Sequence, residues 1–142
     1  MNPALAMHVL GIDHVVFRVA DLSRALDFYR GFLGCEIERE VPALGLTQLR
    51  AGSALIDLVP VDSKLGQSGG GPVDANAHNV DHVCLRIEPW EPEALRADLQ
   101  ERGIEASEVA TRYGAGGNGP SIYIQDPDGN SIELKGPPGA AN

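Results

Sequence analysis

The phrase Ile12-Asp13-His14-Val15-Val16-Phe17-Arg18-Val19 returns 68 positions later as Val80-Asp81-His82-Val83-Cys84-Leu85-Arg86-Ile87. A chain written twice in this way is expected to fold as two similar modules. Both copies read apolar, Asp, His, apolar, apolar or small, apolar, Arg, apolar, and both carry enough β-branched residues to predict a strand. Side chains alternate along a strand, so His14, Val16 and Arg18 share one face while Val15, Phe17 and Val19 share the other. The second copy sorts identically, with His82, Cys84 and Arg86 against Val83, Leu85 and Ile87. A histidine at the same point of the same strand in both halves points to a site to which both halves contribute.

A 43% hydrophobic content over 142 residues is enough for a sizeable core, whether as one continuous unit or as two half-domains packed together. The net charge is −9, and the 11 basic residues are scattered, which argues against a nucleic-acid partner. No run approaches the ~18 apolar residues of a membrane span, and the N-terminus has no signal-peptide pattern, so a cytoplasmic protein is expected. Cys35 and Cys84 show neither zinc nor disulfide spacing and sit among apolar neighbours; two buried free thiols are expected.

Met1 to His8 lacks periodicity and reads as a loose arm. Asp21 can cap a helix in which Leu22, Leu26, Tyr29 and Leu33 recur on one face, and Gly34 can stop it. Phe17, Tyr29 and Phe32 are expected in helix–sheet packing. Strands are predicted over 36–41, 46–50 and 54–59, making the first module, residues 8–61, β-α-β-β-β. Residues 62–79 turn polar and glycine-rich and predict a linker, serving either as a tether or as a lid over a site. The second module, residues 80–136, repeats the order. Its helix begins at Pro92, carries Leu95 and Leu99 on one face and ends at Gly103. A short strand over 104–109 and a glycine-rich loop over 113–119 follow. Strand 121–125, the Asp126-Pro127-Asp128-Gly129 turn and strand 131–135 complete the module. The tail after Gly136 reads as disordered.

In the last strand Glu133 faces away from Ile132 and Leu134, and in the matching strand of the first module Asp57 takes its place. Each module therefore offers one histidine and one strand carboxylate, His14 with Asp57 and His82 with Glu133. Two imidazoles plus carboxylate with an open position is a divalent-metal constellation, so His14, His82 and Glu133 are the candidate ligands. Asp57 is a further candidate, one methylene shorter in reach. Arg18 and Arg86 either hold an anionic substrate or snorkel to the rim. Gln48, Ser121, Tyr123 and Gln125 alternate onto the polar face as candidate substrate contacts. Tyr123 could hydrogen-bond a metal-bound oxygen or be an ordinary strand aromatic.

The two Asp-His strands, the Ala25-Leu-Asp-Phe-Tyr-Arg-Gly-Phe-Leu-Gly34 helix and the Ser121-Ile-Tyr-Ile-Gln-Asp-Pro-Asp-Gly-Asn-Ser-Ile-Glu-Leu134 hairpin resemble the vicinal oxygen chelate superfamily. That group holds glyoxalase I, fosfomycin-resistance thiol transferases, extradiol dioxygenases, methylmalonyl-CoA epimerase and bleomycin-binding proteins. The resemblance spans roughly Leu10 to Lys135. It implies an α+β fold of paired βαβββ modules forming a cupped, partly open mixed-sheet barrel with helices outside. It also implies a divalent metal, Fe, Mn, Ni or Zn, on His14, His82 and Glu133, with Glu133 and Tyr123 in catalysis. Asp57 falls where glyoxalase I carries a glutamate ligand. Residues 116–134 look closer to the fosfomycin-resistance branch, which implies a lyase or transferase acting on a small oxygen-rich substrate, with a thiol as a further candidate cosubstrate. An extradiol-type dioxygenase and a non-enzymatic drug-binding protein are the alternatives. Superfamily members usually dimerise, and a homodimer is expected.

Overall fold

A computed structural model describes residues 7–140, which divide between Pro72 and Val73 into two compact units. The loose arm expected over Met1–His8 lies largely outside the described residues; Met7 and His8 are exposed coil. No described helix is long and apolar enough to cross a membrane.

In the first unit, strand β1 (His14–Val19) leads into helix α1 (Leu22–Leu26), whose turns widen into a π-helical stretch over Asp27–Phe32. Asp21 caps α1 by accepting a hydrogen bond from the Arg24 amide at 3.1 Å, and Gly34, at φ +75°, ends the helical run. The buried stripe falls on Ala25, Phe28 and Tyr29, with Leu22, Leu26 and Leu33 only partly covered. The wide turns bring Phe28 inward beside Tyr29, a shift that 3.6-residue spacing cannot foresee. Phe17 stacks on Tyr29 at 5.7 Å between ring centroids, and Phe28 meets Tyr29 edge-on at 4.9 Å. Strands β2 (Ile37–Val41), β3 (Leu46–Ala51) and β4 (Ala54–Pro60) follow. The sheet order is β1-β4-β3-β2, with β1 parallel to β4 and the rest antiparallel.

The second unit repeats this topology with β5 (His82–Arg86), α2 (Pro92–Glu101), β6 (Ala110–Gly114), β7 (Gly117–Gln125) and β8 (Ser131–Lys135), ordered β5-β8-β7-β6. The paired βαβββ modules are thus present as two open four-stranded mixed sheets. Leu99 of α2 is buried, and Gly103 ends the helix at φ +72°. At the β7–β8 turn, the Asp126 carboxylate accepts the amides of Asp128 at 2.9 Å and Asn130 at 2.8 Å, and Gly129 takes φ +80°.

Four expectations are corrected. Residues 104–109 are not a strand; the strand is β6 at Ala110–Gly114, and the expected loop 113–119 supplies its end and the start of β7. Gly117 to Pro120 join the ladder through their backbones, which need no β-branched side chain to pair. The expected disorder after Gly136 gives way to a hydrogen-bonded run: the Gly136 amide donates to the Pro120 carbonyl at 2.9 Å and the Gly139 amide to the Asn118 carbonyl at 3.1 Å. Ala141 and Asn142 lie outside the described residues. Cys84 is exposed rather than buried, because it shares a sheet face with His82 and Glu133; Cys35 is buried.

Within the glycine-rich segment, a turn of 3₁₀ helix spans Gly66–Gly69. Arg18 of β1 reaches into it, donating from Nε to the Gly66 carbonyl at 3.0 Å and from one terminal nitrogen to the Gly70 and Gly71 carbonyls at 2.8 Å each. A Cβ on Gly66 would lie 1.8 Å from the Pro60 carbonyl oxygen, so this turn packs only with glycine there. Arg18→Ala should therefore leave folding intact but raise thermolysin cleavage within residues 62–78 roughly tenfold, mapped by mass spectrometry. Gly66→Ala should lower the unfolding free energy by about 2 kcal/mol or more in urea titrations.

Candidate functional site

Each unit brings one histidine against one carboxylate on the polar face of its sheet. In the second unit the ladder places Cys84, Glu133 and Tyr123 side by side across β5, β8 and β7. His82, two residues before Cys84 on the same face, sets its Nε2 3.3 Å from Glu133 Oε1. Its other ring nitrogen, Nδ1, lies 2.7 Å from the Asp81 carboxylate. That contact orients the ring and turns its Nε2 edge toward Glu133. The rings of His82 and Tyr123 meet edge-on at 5.1 Å.

Glu133 is only 5% exposed, a costly position for a carboxylate without partners. Burial pushes its carboxyl up, but the hydroxyls of Ser121 and Tyr123 and the nearby charges of His82 and Lys135 outweigh burial and hold it below its ordinary value. Tyr123 is pushed up by burial and by its hydrogen bond to the same carboxylate, so its phenol keeps its proton and donates.

The first unit holds a looser version of the pair. His14 Nε2 stands 4.0 Å from Asp57 Oδ2, and His14 Nδ1 lies 2.7 Å from the Asp13 carboxylate. The Asp13 hydrogen bond and then the Asp57 charge raise the imidazole above its ordinary value. The wider gap fits the shorter side chain of Asp57. Gln48 donates to Asp57 Oδ2 at 3.1 Å, while the buried Oδ1 has no hydrogen-bond partner among the described residues. A buried carboxylate oxygen without a donor is an acceptor awaiting a cation or a proton. Among the described residues, no group of three His, Cys, Asp or Glu side chains is gathered where it could hold an ion; the arrangement is two pairs.

Of the other residues singled out from the sequence, Ser121 is fully buried beside Glu133 and Gln125 is exposed. Arg86 pairs with Glu88 at 3.3 Å, and Arg18 is spent on the glycine-rich turn. Two site residues escape sequence reasoning. Arg112 of β6 donates from one terminal nitrogen to the Ser121 carbonyl at 2.8 Å and hydroxyl at 2.9 Å, with its guanidinium 4.7 Å over the Tyr123 ring. Lys135, 6% exposed, donates to the Gly119 carbonyl at 3.0 Å and to the Arg112 carbonyl. Arg112 was hidden by the misplaced strand; alternation along 110–114 would have put it on this face.

The sequence pattern of the Glyoxalase/Bleomycin resistance protein/Dioxygenase superfamily matches residues 11–134. This chain belongs to that superfamily. It is 31% identical over 139 residues to virulence protein STM3117 of Salmonella typhimurium, covering 94% of this chain and 88% of that one. The crystal structure of STM3117 superposes with a TM-score of 0.72 at 27% identity, over 92% of this chain and 99% of that chain. Human mitochondrial methylmalonyl-CoA epimerase is 24% identical, covering 87% of this chain and 72% of the epimerase. Metallothiol transferase FosB of Staphylococcus saprophyticus is 26% identical, covering 89% of this chain and 76% of FosB. The relatives of this superfamily member thus include enzymes of different reactions.

Cys84 offers a check on the electrostatics of this face. Burial first, and the Glu133 carboxylate second, push its thiol from an ordinary 9.0 to about 11. Because the folded-state value is raised, thiolate at pH 8 should be roughly a hundredfold scarcer than for an ordinary cysteine. Cys84 should therefore alkylate with iodoacetamide about that much more slowly than a free thiol, despite its exposure, and accelerate as pH climbs toward 11.

Proposed function

We propose that this chain is a divalent-metal-dependent enzyme acting on a small oxygen-rich substrate. The observation that carries this reading is the duplicated pair. In each unit an aspartate holds the histidine Nδ1 at 2.7 Å while Nε2 is turned toward a buried carboxylate. An imidazole whose outer nitrogen is engaged by a carboxylate is the usual form of a metal-bound histidine. The unbonded Asp57 Oδ1 adds a site at which positive charge is lacking.

The donor set suits a borderline divalent ion such as Fe, Mn, Ni or Zn. His14, His82 and Glu133 would hold it, drawing on both repeats, with Asp57 as a fourth donor. When bound, the ion supplies Lewis-acid stabilisation to oxygens that gain negative charge during the reaction. The chain's own residues then have defined tasks. Asp13 and Asp81 orient the two imidazoles, Ser121 and Tyr123 keep Glu133 an ionised acceptor, and the phenol-bearing Tyr123 stands opposite that carboxylate on the ladder. Resemblance to FosB and to methylmalonyl-CoA epimerase supports chemistry of the glyoxalase-like or fosfomycin-resistance-like kind, with a thiol as candidate cosubstrate. A drug-sequestering protein would need aromatic walls instead, and several of the seven aromatic residues, Phe17, Phe28 and Tyr29 among them, are committed to helix–sheet packing. The two open edges of each sheet support a homodimer, which sedimentation at micromolar concentration should report as twice the chain mass.

Elemental analysis of protein purified without added metal should find stoichiometric divalent ion in the wild type and none in His82→Ala. Turnover should then appear in a metal-reconstituted panel of methylglyoxal with glutathione, fosfomycin with thiols, and catechols with oxygen. Unchanged metal in His82→Ala removes the ligand assignment. Tight bleomycin binding by metal-free protein without turnover of any substrate replaces the enzyme with a binder.

A further inference from the structure

Arg112 has no part in the reading above, yet it touches both hydroxyl residues that serve Glu133. We infer that Arg112 is the positioning residue of this face, holding Ser121 and the ring of Tyr123 in place beside Glu133. The inference rests on Glu133 being a functional carboxylate, as proposed above, although the contacts themselves do not depend on a metal.

A guanidinium only donates. Its terminal nitrogen lies 2.9 Å from Ser121 Oγ, so the serine oxygen accepts there, and the serine's single proton is left to go elsewhere. Ser121 is fully buried two residues before Tyr123 on the same face of β7, and Tyr123 stands opposite Glu133 on the ladder. The same nitrogen donates to the Ser121 carbonyl at 2.8 Å, which pins the guanidinium to Ser121 through both its backbone and its side chain. Held there, it lies 4.7 Å over the face of Tyr123, while the ring of His82 meets that tyrosine edge-on at 5.1 Å. A cation over one part of the ring and an imidazole against another restrict its rotation. The phenol is then aimed along the row Tyr123, Glu133, Cys84 set by the ladder. One donor-only side chain thus holds both a buried hydroxyl and the pose of a ring on the face that carries Glu133.

A positioning role predicts coupling. In Co(II) titrations by calorimetry, Arg112→Gln should bind about tenfold more weakly than wild type, the size usual for loss of a supporting contact behind a ligand. The double variant Ser121→Ala/Tyr123→Phe should weaken binding similarly, and adding Arg112→Gln to it should weaken binding no further. Arg112→Lys, which keeps a cationic donor, should recover most of the loss and guards against a variant that fails to fold. Full affinity in Arg112→Gln, or a further tenfold loss in the triple variant, overturns the inference. A metal-free arm separates this outcome from failure of the metal reading. In protein labelled with 3-fluorotyrosine, the Tyr123 ¹⁹F resonance, assigned with Tyr123→Phe, should move toward the free amino-acid position in Arg112→Gln. If wild type takes up no Co(II), the metal assignment falls and this resonance alone decides: an unmoved signal overturns the role of Arg112, and a moved one sustains it.

Discussion

A carboxylate buried in a β-sheet is the constraint on which the rest of this fold depends. Glu133 and Asp57 are 5% and 3% exposed, and each sits in a strand flanked on both sides by hydrogen-bonded neighbours. Neither charge can be hydrated as it would be in water, so donors must come from the strands alongside. In the second unit Ser121 and Tyr123, with the charges of His82 and Lys135, together outweigh the burial of Glu133. The first unit supplies Gln48 and a more distant His14, and one carboxylate oxygen is left over. The difference traces to single positions in register. Gln48 stands opposite Asp57 as Tyr123 stands opposite Glu133, so an amide replaces a phenol at the same rung of the ladder.

The duplicated architecture was legible in the sequence because a repeated strand phrase and repeated glycine stops are local signals. His14 with Asp57 and His82 with Glu133 were legible for the same reason: alternation plus repeat register places them without any knowledge of long-range packing. What escaped was carried by backbone rather than side chains. Strand β7 begins at Gly117, five residues before its apolar run starts at Ile122, and residues 136–140 are tied to it by amides that no hydropathy pattern marks. The short strand expected over 104–109 leaves out Arg112, which β6 at Ala110–Gly114 puts on the polar face. The π-helical widening after Asp27 likewise shifted which aromatics are buried. Cys84 looked like a core thiol because its neighbours in sequence are apolar, yet the face it shares is polar.

The position of Lys135 ties these features together. Its ammonium lies under the β6–β7 hairpin, on the carbonyls of Arg112 and Gly119, and helps balance the Glu133 charge from the same strand. A Cβ on Gly114 would meet its side chain at 3.0 Å and one on Gly119 the Pro137 carbonyl oxygen at 3.0 Å, so the glycines of this hairpin make room for a buried cation and for the tail. The glycine-rich composition that reads as a loop is in part a packing requirement.

The fate of the two repeat-related arginines shows how a duplication can divide its labour. By register, Arg18 and Arg86 occupy the same position of the two repeats. Only the first module runs on into the glycine-rich turn, and its carbonyls have absorbed Arg18 into the scaffold. Its twin is held by one surface carboxylate, Glu88. The same strand position is therefore under architectural constraint in one half and nearly free in the other, so sequence variation that would unlatch the first module is open to the second as raw material for new specificity.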